Sequence, residues 1–249
     1  MTLTAIPIPG IGEITVGDSL PEIILAAMSA HVMQLLPGDI LVITHKIVSK
    51  AEGRIVPLDS IRPRADARRW ARRYHTDPRV VELALANARK VVRRGHGVLI
   101  TETEHGFICA NSGVDVSNVD GGQSAVLLPR DPDGSAQRIY RSLKRHLGFG
   151  VPVIITDTFG RAWREGLVEF AIGIAGMKAF RDFRARRDPH GYRLRVSLEA
   201  VADEIAAIAG LAAGKLSRTP ACIVRGFQFV AGRGSARSLL RDPKRDLFR

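Results

Sequence analysis

Two short polar segments of the chain contain residues that could bind a metal ion. The first, residues 111–118, consists of small and oxygen-bearing side chains, and Asp115 is its only charge. The second, residues 155–161, places Asp157 and Thr158 directly after an apolar run. Mg²⁺ and Mn²⁺ prefer carboxylate, hydroxyl and water oxygens, and one or two carboxylates commonly hold them together with substrate phosphates. If the two strand ends converge, they predict a divalent-metal site that handles phosphates.

A simpler interpretation is open for both segments, because Asp and Asn in glycine-containing loops often form Asx-turns and helix caps. Other kinds of site fit the sequence less well. It has no His/Cys cluster at zinc spacing and no Walker-type loop ending in Gly-Lys-Ser/Thr. Gly10-Ile11-Gly12 lacks the strand–turn–helix context of a dinucleotide fingerprint and indicates a turn. A nucleotide site in this chain is therefore of another kind.

More polar residues follow the apolar run 40–44, where Thr44-His45-Lys46 leads to Lys50. A lysine near a strand end could counter phosphate charge, although an exposed surface lysine is the simpler interpretation. A second loop, 214–217, follows a predicted helix and could donate backbone groups to a ligand or simply end the helix. The carboxylates of that helix are predicted to be solvated; they are Glu199, Asp203 and Glu204.

Composition narrows the function classes. The 249 residues are 45% hydrophobic and 25% charged, the typical balance of a globular protein. No apolar run approaches the roughly 20 residues of a membrane span, and the N-terminus lacks the features of a secretion signal, so we expect a cytoplasmic protein. The net charge of +12 favours anionic partners. Arginine clusters at 62–73, 89–94 and 181–187 leave nucleic-acid binding open, but only 6% of the residues are aromatic, which disfavours a base-stacking surface.

The elements that must position these residues alternate between helix and strand. Helices are predicted over residues 20–36, 135–147 and 198–211, and another from the N-cap Asp77 to Arg94, ended by Gly95-His96-Gly97. Short apolar runs predict strands at 40–44, 98–101, 107–110, 125–128, 153–156 and 221–224. This order predicts an α+β or α/β layered fold. Cys109 and Cys222 lie inside apolar runs and are predicted to be buried thiols, and the tail after Gly232 is predicted to pack loosely.

Several of these motifs, taken in order, resemble the coenzyme F420-0:γ-glutamyl ligase family over about residues 5–230. The matching segments are residues 49–54, 113–119, 131–133, 154–161, 201–207 and 224–226. The resemblance implies an unusual α+β ligase fold of mixed sheets with packed helices, neither P-loop nor Rossmann. It implies one ligase domain over residues 1–249, which two subdomains could make up. Some bacterial relatives carry a nitroreductase-like C-terminal domain, and we expect ligase activity without it here.

The resemblance also implies the reaction. It indicates an enzyme that adds L-glutamate to the lactyl carboxylate of the deazaflavin precursor F420-0 and then adds γ-linked glutamates. It implies GTP as a substrate, Mg²⁺ or Mn²⁺ as cofactor, stimulation by K⁺, and a homodimer. We expect an acyl-phosphate intermediate and no protein nucleophile. The alternatives are a related ligase with another acceptor or amino acid and, in a different class, a nucleic-acid-binding protein.

Site residues carry over from the family position by position. Asp115 and Asp157 resemble ligands of one divalent ion and Thr158 a ligand of a second, while Arg161 is a candidate for stabilising charge. The nucleotide-contacting positions are Ile11, Gly12, Glu13, Ile14, His45, Lys46, Lys50, Asn118, Ala213, Gly214, Lys215 and Leu216. Two departures stand out. The family's usual Gly-Leu-Pro is Gly10-Ile11-Gly12 here, and the pair His45-Lys46 replaces smaller hydroxyl residues.

Overall fold

The computed structural model describes residues 2–117 and 119–247. Its α-helices are α1 (Leu20–Ala30), α2 (His45–Ala51), α3 (Ala65–Tyr74), α4 (Pro78–Ala86), α5 (Pro132–Leu147) and α6 (Val201–Ala213). Its strands are β1 (Thr4–Pro7), β2 (Ile40–Thr44), β3 (Ile55–Pro57), β4 (Ala88–Gly95), β5 (Val98–Thr103), β6 (Ile108–Ala110), β7 (Ser124–Val126), β8 (Val153–Arg161), β9 (Arg164–Ala175), β10 (Arg181–Asp182), β11 (Leu198–Glu199) and β12 (Ala221–Arg225). None of the helices in these ranges is long and apolar enough to cross a bilayer.

A five-stranded mixed sheet in the order β1-β12-β2-β8-β9 holds the main core. Neighbouring strands are antiparallel except β2 and β8, which are parallel. The first four residues of β2, Ile40 to Ile43, are at most 4% exposed. A strand buried on both faces needs a continuous apolar run, which explains why β2 reads Ile-Leu-Val-Ile. Helix α6 packs on β9, β1 and β12, whereas α5 packs on β8, β9 and α1.

The remaining strands form smaller sheets: β4-β5-β6, the pair β3-β7, and the pair β10-β11. Helices α3 and α4 pack together beside the three-stranded sheet. A separate small core joins them and consists of Ala67, Ala71, Val81, Ala84 and Leu99. The α+β class predicted from the sequence is confirmed, and no described part of the chain has a P-loop or Rossmann arrangement.

A β-bulge interrupts the long hairpin formed by β8 and β9. Ile155 pairs with Gly173, but the next residue, Thr156, pairs with Ala171, so β9 carries one extra residue, Ile172. A bulge shifts the alternation of side chains between the two faces of a strand. The half-buried Asp203 on α6 accepts a hydrogen bond from the backbone N of Ala171 at 3.0 Å. The prediction that Asp203 is simply solvated was therefore wrong.

Several predicted elements are confirmed. The strand 40–44 is β2, and Asp77 caps α4 by accepting a hydrogen bond from Arg79 N at 2.8 Å. Cys109 and Cys222 are buried free thiols. Burial of the two thiols is the main cause that raises the pKa of Cys109 to about 12 and that of Cys222 to about 11.

Other predicted boundaries were wrong. Helix α4 ends at Ala86, and residues 88–95 form β4, because Gly95-His96-Gly97 makes a hairpin turn with positive φ at His96 and Gly97. Helix α1 ends at Ala30. The strand expected to stop at 156 continues to 161 and pairs with β9, which the sequence analysis missed.

Helix α6 and the C-terminal segment also differ from expectation. The helix begins at Val201, and Leu198, predicted to lie on its apolar face, is 39% exposed in β11. The tail after Gly232 packs closely at its start, since Ala236 is fully buried and Asp133 accepts hydrogen bonds from Ser235 Oγ at 2.5 Å and Ala236 N at 2.9 Å.

Candidate functional site

The topology brings four separate chain segments to one edge of the central sheet. Thr44 at the end of β2 lies level with Thr156 of β8, because the two strands are parallel. Strand β12 is antiparallel to both β1 and β2, so its start lies at the ends of both strands. Thr44 N donates to Pro220 O, and Ile8 N donates to Ala221 O, each at 2.9 Å. The segments that follow β1 and β2, the middle of β8 and the loop before β12 therefore share this edge.

The first two residues of α2 contact both candidate metal carboxylates. Lys46 Nζ lies 2.8 Å from Asp115 Oδ2 and also donates to Ser117 Oγ and Ser117 O at 2.9 and 3.0 Å. His45 is 2% exposed, and its Nε2 lies 3.2 Å from Asp157 Oδ1. The contact between His45 Nε2 and Asp157 Oδ1 falls within ion-pair distance but lacks hydrogen-bond geometry. Adjacent residues of one helix thus contact Asp115 and Asp157.

Asp115 is held in its loop by backbone and side-chain contacts. Its N and O exchange hydrogen bonds with Val126, at 3.1 and 2.8 Å, and its Oδ1 accepts from Ser117 N at 2.7 Å. Burial by itself raises the pKa of Asp115, but the hydrogen bonds from Lys46 and Ser117 outweigh it and hold the pKa below its usual range. The carboxylate is therefore ionised and preorganised. The Ser117 contact is also the Asx-turn that the sequence offered as an alternative, so the loop combines both interpretations.

The backbone before Asp115 is strained. Asn111, Ser112 and Gly113 have φ of 50°, 57° and 68°, three left-handed residues in succession. Buried hydrogen bonds hold this turn: Ser112 Oγ donates to Ala84 O at 2.7 Å and lies 2.9 Å from Thr101 Oγ1, which also accepts from Ser112 N at 2.9 Å. Strain of this kind persists only where surrounding contacts fix it, and here it sets the direction of the Asp115 loop.

Asp157 and Thr158 lie within β8, and not after its end as predicted. Successive side chains of a strand point to opposite faces, so these two residues suit different ions better than a shared one. Their contacts agree: Asp157 approaches His45 of α2, whereas Thr158 Oγ1 donates to Glu169 Oε1 at 2.5 Å. Thr158 N donates to Asp157 Oδ1 at 2.7 Å.

The candidate nucleotide residues fall into two groups at this edge. In the segment after β1, Ile11 and Ile14 are buried in the core, while Gly12 and Glu13 are exposed. Lys50 is 8% exposed, and its ammonium contacts the Glu13 carboxylate, whose side chain is 79% exposed. Lys50 is therefore a buried lysine whose contact with Glu13 is replaceable, because the Glu13 side chain is exposed.

The loop after α6 forms the other group. Gly214, Lys215 and Leu216 are exposed, and Ala213 O accepts hydrogen bonds from Ser217 Oγ and Thr219 Oγ1. The loop leads directly into Pro220, which contacts Thr44.

Of the predicted site residues, one lies outside the described residues and another lies apart from this cluster. Asn118 lies outside the described residues. Arg161 lies near the tip of the β8–β9 hairpin, four residues or about 13 Å along the strand from Asp157. Its NH2 donates to Glu165 O at 2.9 Å. The structure therefore places Arg161 apart from the two aspartates.

The donor set can be tested against a divalent ion. Within the described ranges, no group of three or more His, Cys, Asp or Glu residues could hold a metal by itself. Mg²⁺ and Mn²⁺ do not need such a cage, because they take one or two carboxylates and complete their shell with water and substrate phosphates. Beside Thr158, Glu169 Oε2 is buried and has no hydrogen-bond partner among the described residues, so positive charge is favoured there. The residues fit a metal–phosphate site and do not fit a protein-only site.

Sequence reasoning missed Glu169 and Ser112. Glu169 lies eleven residues from Thr158 on a strand that was not predicted, and only the strand register brings them together. Ser112 is within a segment that was predicted as a ligand loop, but its partners Thr101 and Ala84 are distant in sequence.

Fold and geometry define the class: an α+β protein, without Rossmann or P-loop topology in its described part, whose candidate carboxylates and lysines gather at one edge of a mixed sheet. The family model for F420-0:gamma-glutamyl ligase matches residues 10–226. The chain belongs to the F420-0:gamma-glutamyl ligase family.

Similar proteins cover the whole chain. A coenzyme F420:L-glutamate ligase of Methanothermobacter thermautotrophicus is 42% identical over 252 aligned positions and covers all of both chains. The protein of the same name from Methanopyrus kandleri is also 42% identical, over all of this chain and 98% of that one. The corresponding ligase of Archaeoglobus fulgidus is 40% identical, over all of this chain and 97% of its own length.

Proposed function

We propose that this chain is a GTP-dependent ligase that adds L-glutamate to F420-0 and then adds further γ-linked glutamates, with Mg²⁺ or Mn²⁺ as cofactor. Full-length identity of about 40% to ligases named for this amino-acid transfer supports the reaction class. The observation that carries the site is that His45 and Lys46, adjacent in one helix, contact Asp157 and Asp115, with Lys50 in the same helix.

Amide formation from a carboxylate needs activation in water. In the proposed sequence, the acceptor carboxylate attacks the γ-phosphorus of GTP, the bond to the β-phosphate oxygen breaks, and GDP leaves. The uncharged glutamate amine then attacks the acyl phosphate, loses a proton and expels inorganic phosphate. A bound divalent ion supplies positive charge to the phosphate oxygens. Phosphoryl transfer of this kind requires positioning and charge stabilisation, with no protein nucleophile.

The chain's own residues divide these tasks. Asp115 and Asp157 would hold one ion and Thr158 a second. Lys50 can exchange its contact with the exposed Glu13 for a phosphate oxygen, which suits a nucleotide ligand. Lys46 is already engaged by Asp115 and Ser117, so it fixes the carboxylate and adds positive potential. K⁺ stimulation and assembly as a homodimer are part of the same proposal.

The test incubates purified protein with F420-0, L-glutamate, Mn²⁺ and either GTP or ATP, and determines product mass. One added glutamate residue with GTP, together with GDP and phosphate release, supports the proposal. If GTP is consumed only when metal and an acceptor other than F420-0 are present, and this mass shift is absent, the result favours a related ligase with a different acceptor. Adding K⁺ tests the stimulation, and light scattering of the same sample tests the dimer.

Asp157→Asn tests the metal assignment. It keeps the side-chain size but removes one ligand charge, and we expect turnover to fall by about 100-fold or more. Asp59→Asn, at an exposed aspartate, is the matched control and should keep wild-type turnover. Near-normal turnover of Asp157→Asn at saturating Mn²⁺ would contradict the assignment.

A further inference from the structure

The Thr158 hydroxyl has a carboxylate partner, Glu169, that is not among the candidate site residues carried over from the family. Thr158 Oγ1 donates to Glu169 Oε1 at 2.5 Å, a short hydrogen bond. The two residues are directly opposite each other on β8 and β9. Glu169 is half-buried, and its Oε2 has no hydrogen-bond partner in the described part of the chain.

Two features of the fold set the position of Glu169. The bulge at Ile172 adds one residue to β9, and the Asp203 carboxylate holds it through Ala171 N. Without the extra residue, the register would place a different residue opposite Thr158. In addition, Gly210 of α6 leaves room for the Glu169 side chain, because a Cβ at position 210 would lie 2.3 Å from Glu169 Cγ. The strand register and a gap in the helix surface together define one position for this carboxylate.

A hydroxyl group carries one proton and two lone pairs. When Thr158 donates its proton to Glu169, both lone pairs of Oγ1 are free for a cation, and the negative charge of the acceptor makes the oxygen a better ligand. Mutation of a group that orients a metal ligand in this way commonly lowers metal affinity by about 10- to 100-fold. We propose that Glu169 is a positioning residue that orients the Thr158 hydroxyl toward a divalent ion. This inference rests on the proposed function, since it requires that Thr158 binds a metal.

Direct Mn²⁺ binding tests the inference without an activity measurement. Electron paramagnetic resonance of free Mn²⁺, titrated into protein with a non-hydrolysable GTP analogue, gives the number and affinity of bound ions. We expect Glu169→Leu to weaken the binding of one of two Mn²⁺ ions by about 10- to 100-fold. Glu169→Gln, which keeps an acceptor oxygen, should lose less. Glu165→Gln, at an exposed glutamate of the same strand, is the matched control and should bind as the wild type does.

A double variant separates positioning from direct ligation. If Glu169 acts through Thr158, Glu169→Leu combined with Thr158→Val binds Mn²⁺ no more weakly than Thr158→Val alone. Losses that multiply in the double variant, or wild-type affinity in Glu169→Leu, overturn the inference. Failure of the proposed function gives a different result, because the wild type would then bind no Mn²⁺ with the nucleotide analogue.

Gly210→Ala provides a second route that keeps every carboxylate. The added methyl group displaces Glu169, so the affinity should fall for the same Mn²⁺ ion that Glu169→Leu affects. Thermal unfolding of the metal-free variants identifies any that do not fold. Unchanged Mn²⁺ affinity in a folded Gly210→Ala variant contradicts the inference.

Discussion

Ser112→Ala should destabilise the protein although it removes a single oxygen atom. The Ser112 side chain is buried, and its hydroxyl donates at 2.7 Å to Ala84 O, a carbonyl in the last turn of α4 that has no partner within that helix. The hydroxyl also lies 2.9 Å from Thr101 Oγ1. A buried polar group left without its partner costs about 1–3 kcal/mol. Because two groups lose a partner, we expect a loss of about 2–3 kcal/mol in the free energy of unfolding.

Urea unfolding followed by circular dichroism measures this loss. Ser60→Ala is the matched control, since Ser60 also donates to a backbone carbonyl, Pro57 O at 2.7 Å, but is exposed. It should change the unfolding free energy by less than about 0.5 kcal/mol. Ser112→Gly should be less harmful than Ser112→Ala, because glycine relieves about 1 kcal/mol of strain at a φ of 57°. A Ser112→Ala variant as stable as Ser60→Ala, or less harmed than Ser112→Gly, would refute the reasoning.

Three further predictions concern ionisable groups. Burial is the main cause that raises the pKa of Asp203, so the stability contributed by this residue is greatest below about pH 4 and is lost as the pH rises through its folded pKa. Asp203→Asn should therefore lessen the loss of melting temperature between about pH 4 and 7. Glu204→Gln, at its exposed neighbour, should not. The pKa of Asp115 is lowered, so the stability that this residue contributes is present above about pH 4 and lost at lower pH. Lys46→Met should lower the free energy of unfolding in urea by about 1 kcal/mol at pH 7, and this difference from the wild type should disappear in acid. The two buried cysteines should resist a thiol-specific reagent at pH 8 until the protein is denatured, as a colorimetric thiol assay would show.

Local signals in the sequence predicted the elements whose cause is local. The apolar run of β2 and the Asp77 cap of α4 each depend on adjacent residues, and both were confirmed. The same method failed at 88–94, where one lysine, three arginines and two valines fit either a helix or an edge strand, and only pairing with β5 decides between them. Polar residues at the end of β8 were interpreted as a loop for the same reason, because their pairing with β9 is not visible in either segment alone.

The residues of the candidate site also divide into those with a local signal in the sequence and those without one. Asp115, Asp157 and Lys50 could be selected from their residue types and from the family resemblance, and the structure brings their segments to one sheet edge. The residues that hold them could not be selected. Glu169 depends on a one-residue bulge, and Ser112 on a helix end that is 28 residues away in sequence.

The convergence of distant segments at one sheet edge affects how the protein acquires its ligand. The candidate nucleotide positions run from residue 11 to residue 216, and the edge exists only when β12 has paired with both β1 and β2. Such pairing between distant parts of a chain forms late and slowly in folding. Under the proposed function, a chain released before β12 is made has no complete nucleotide pocket and consumes no GTP. If GTP binds only the assembled sheet, as proposed, it would stabilise complete molecules over partly folded ones, and the ligase would be protected from proteolysis by its own substrate.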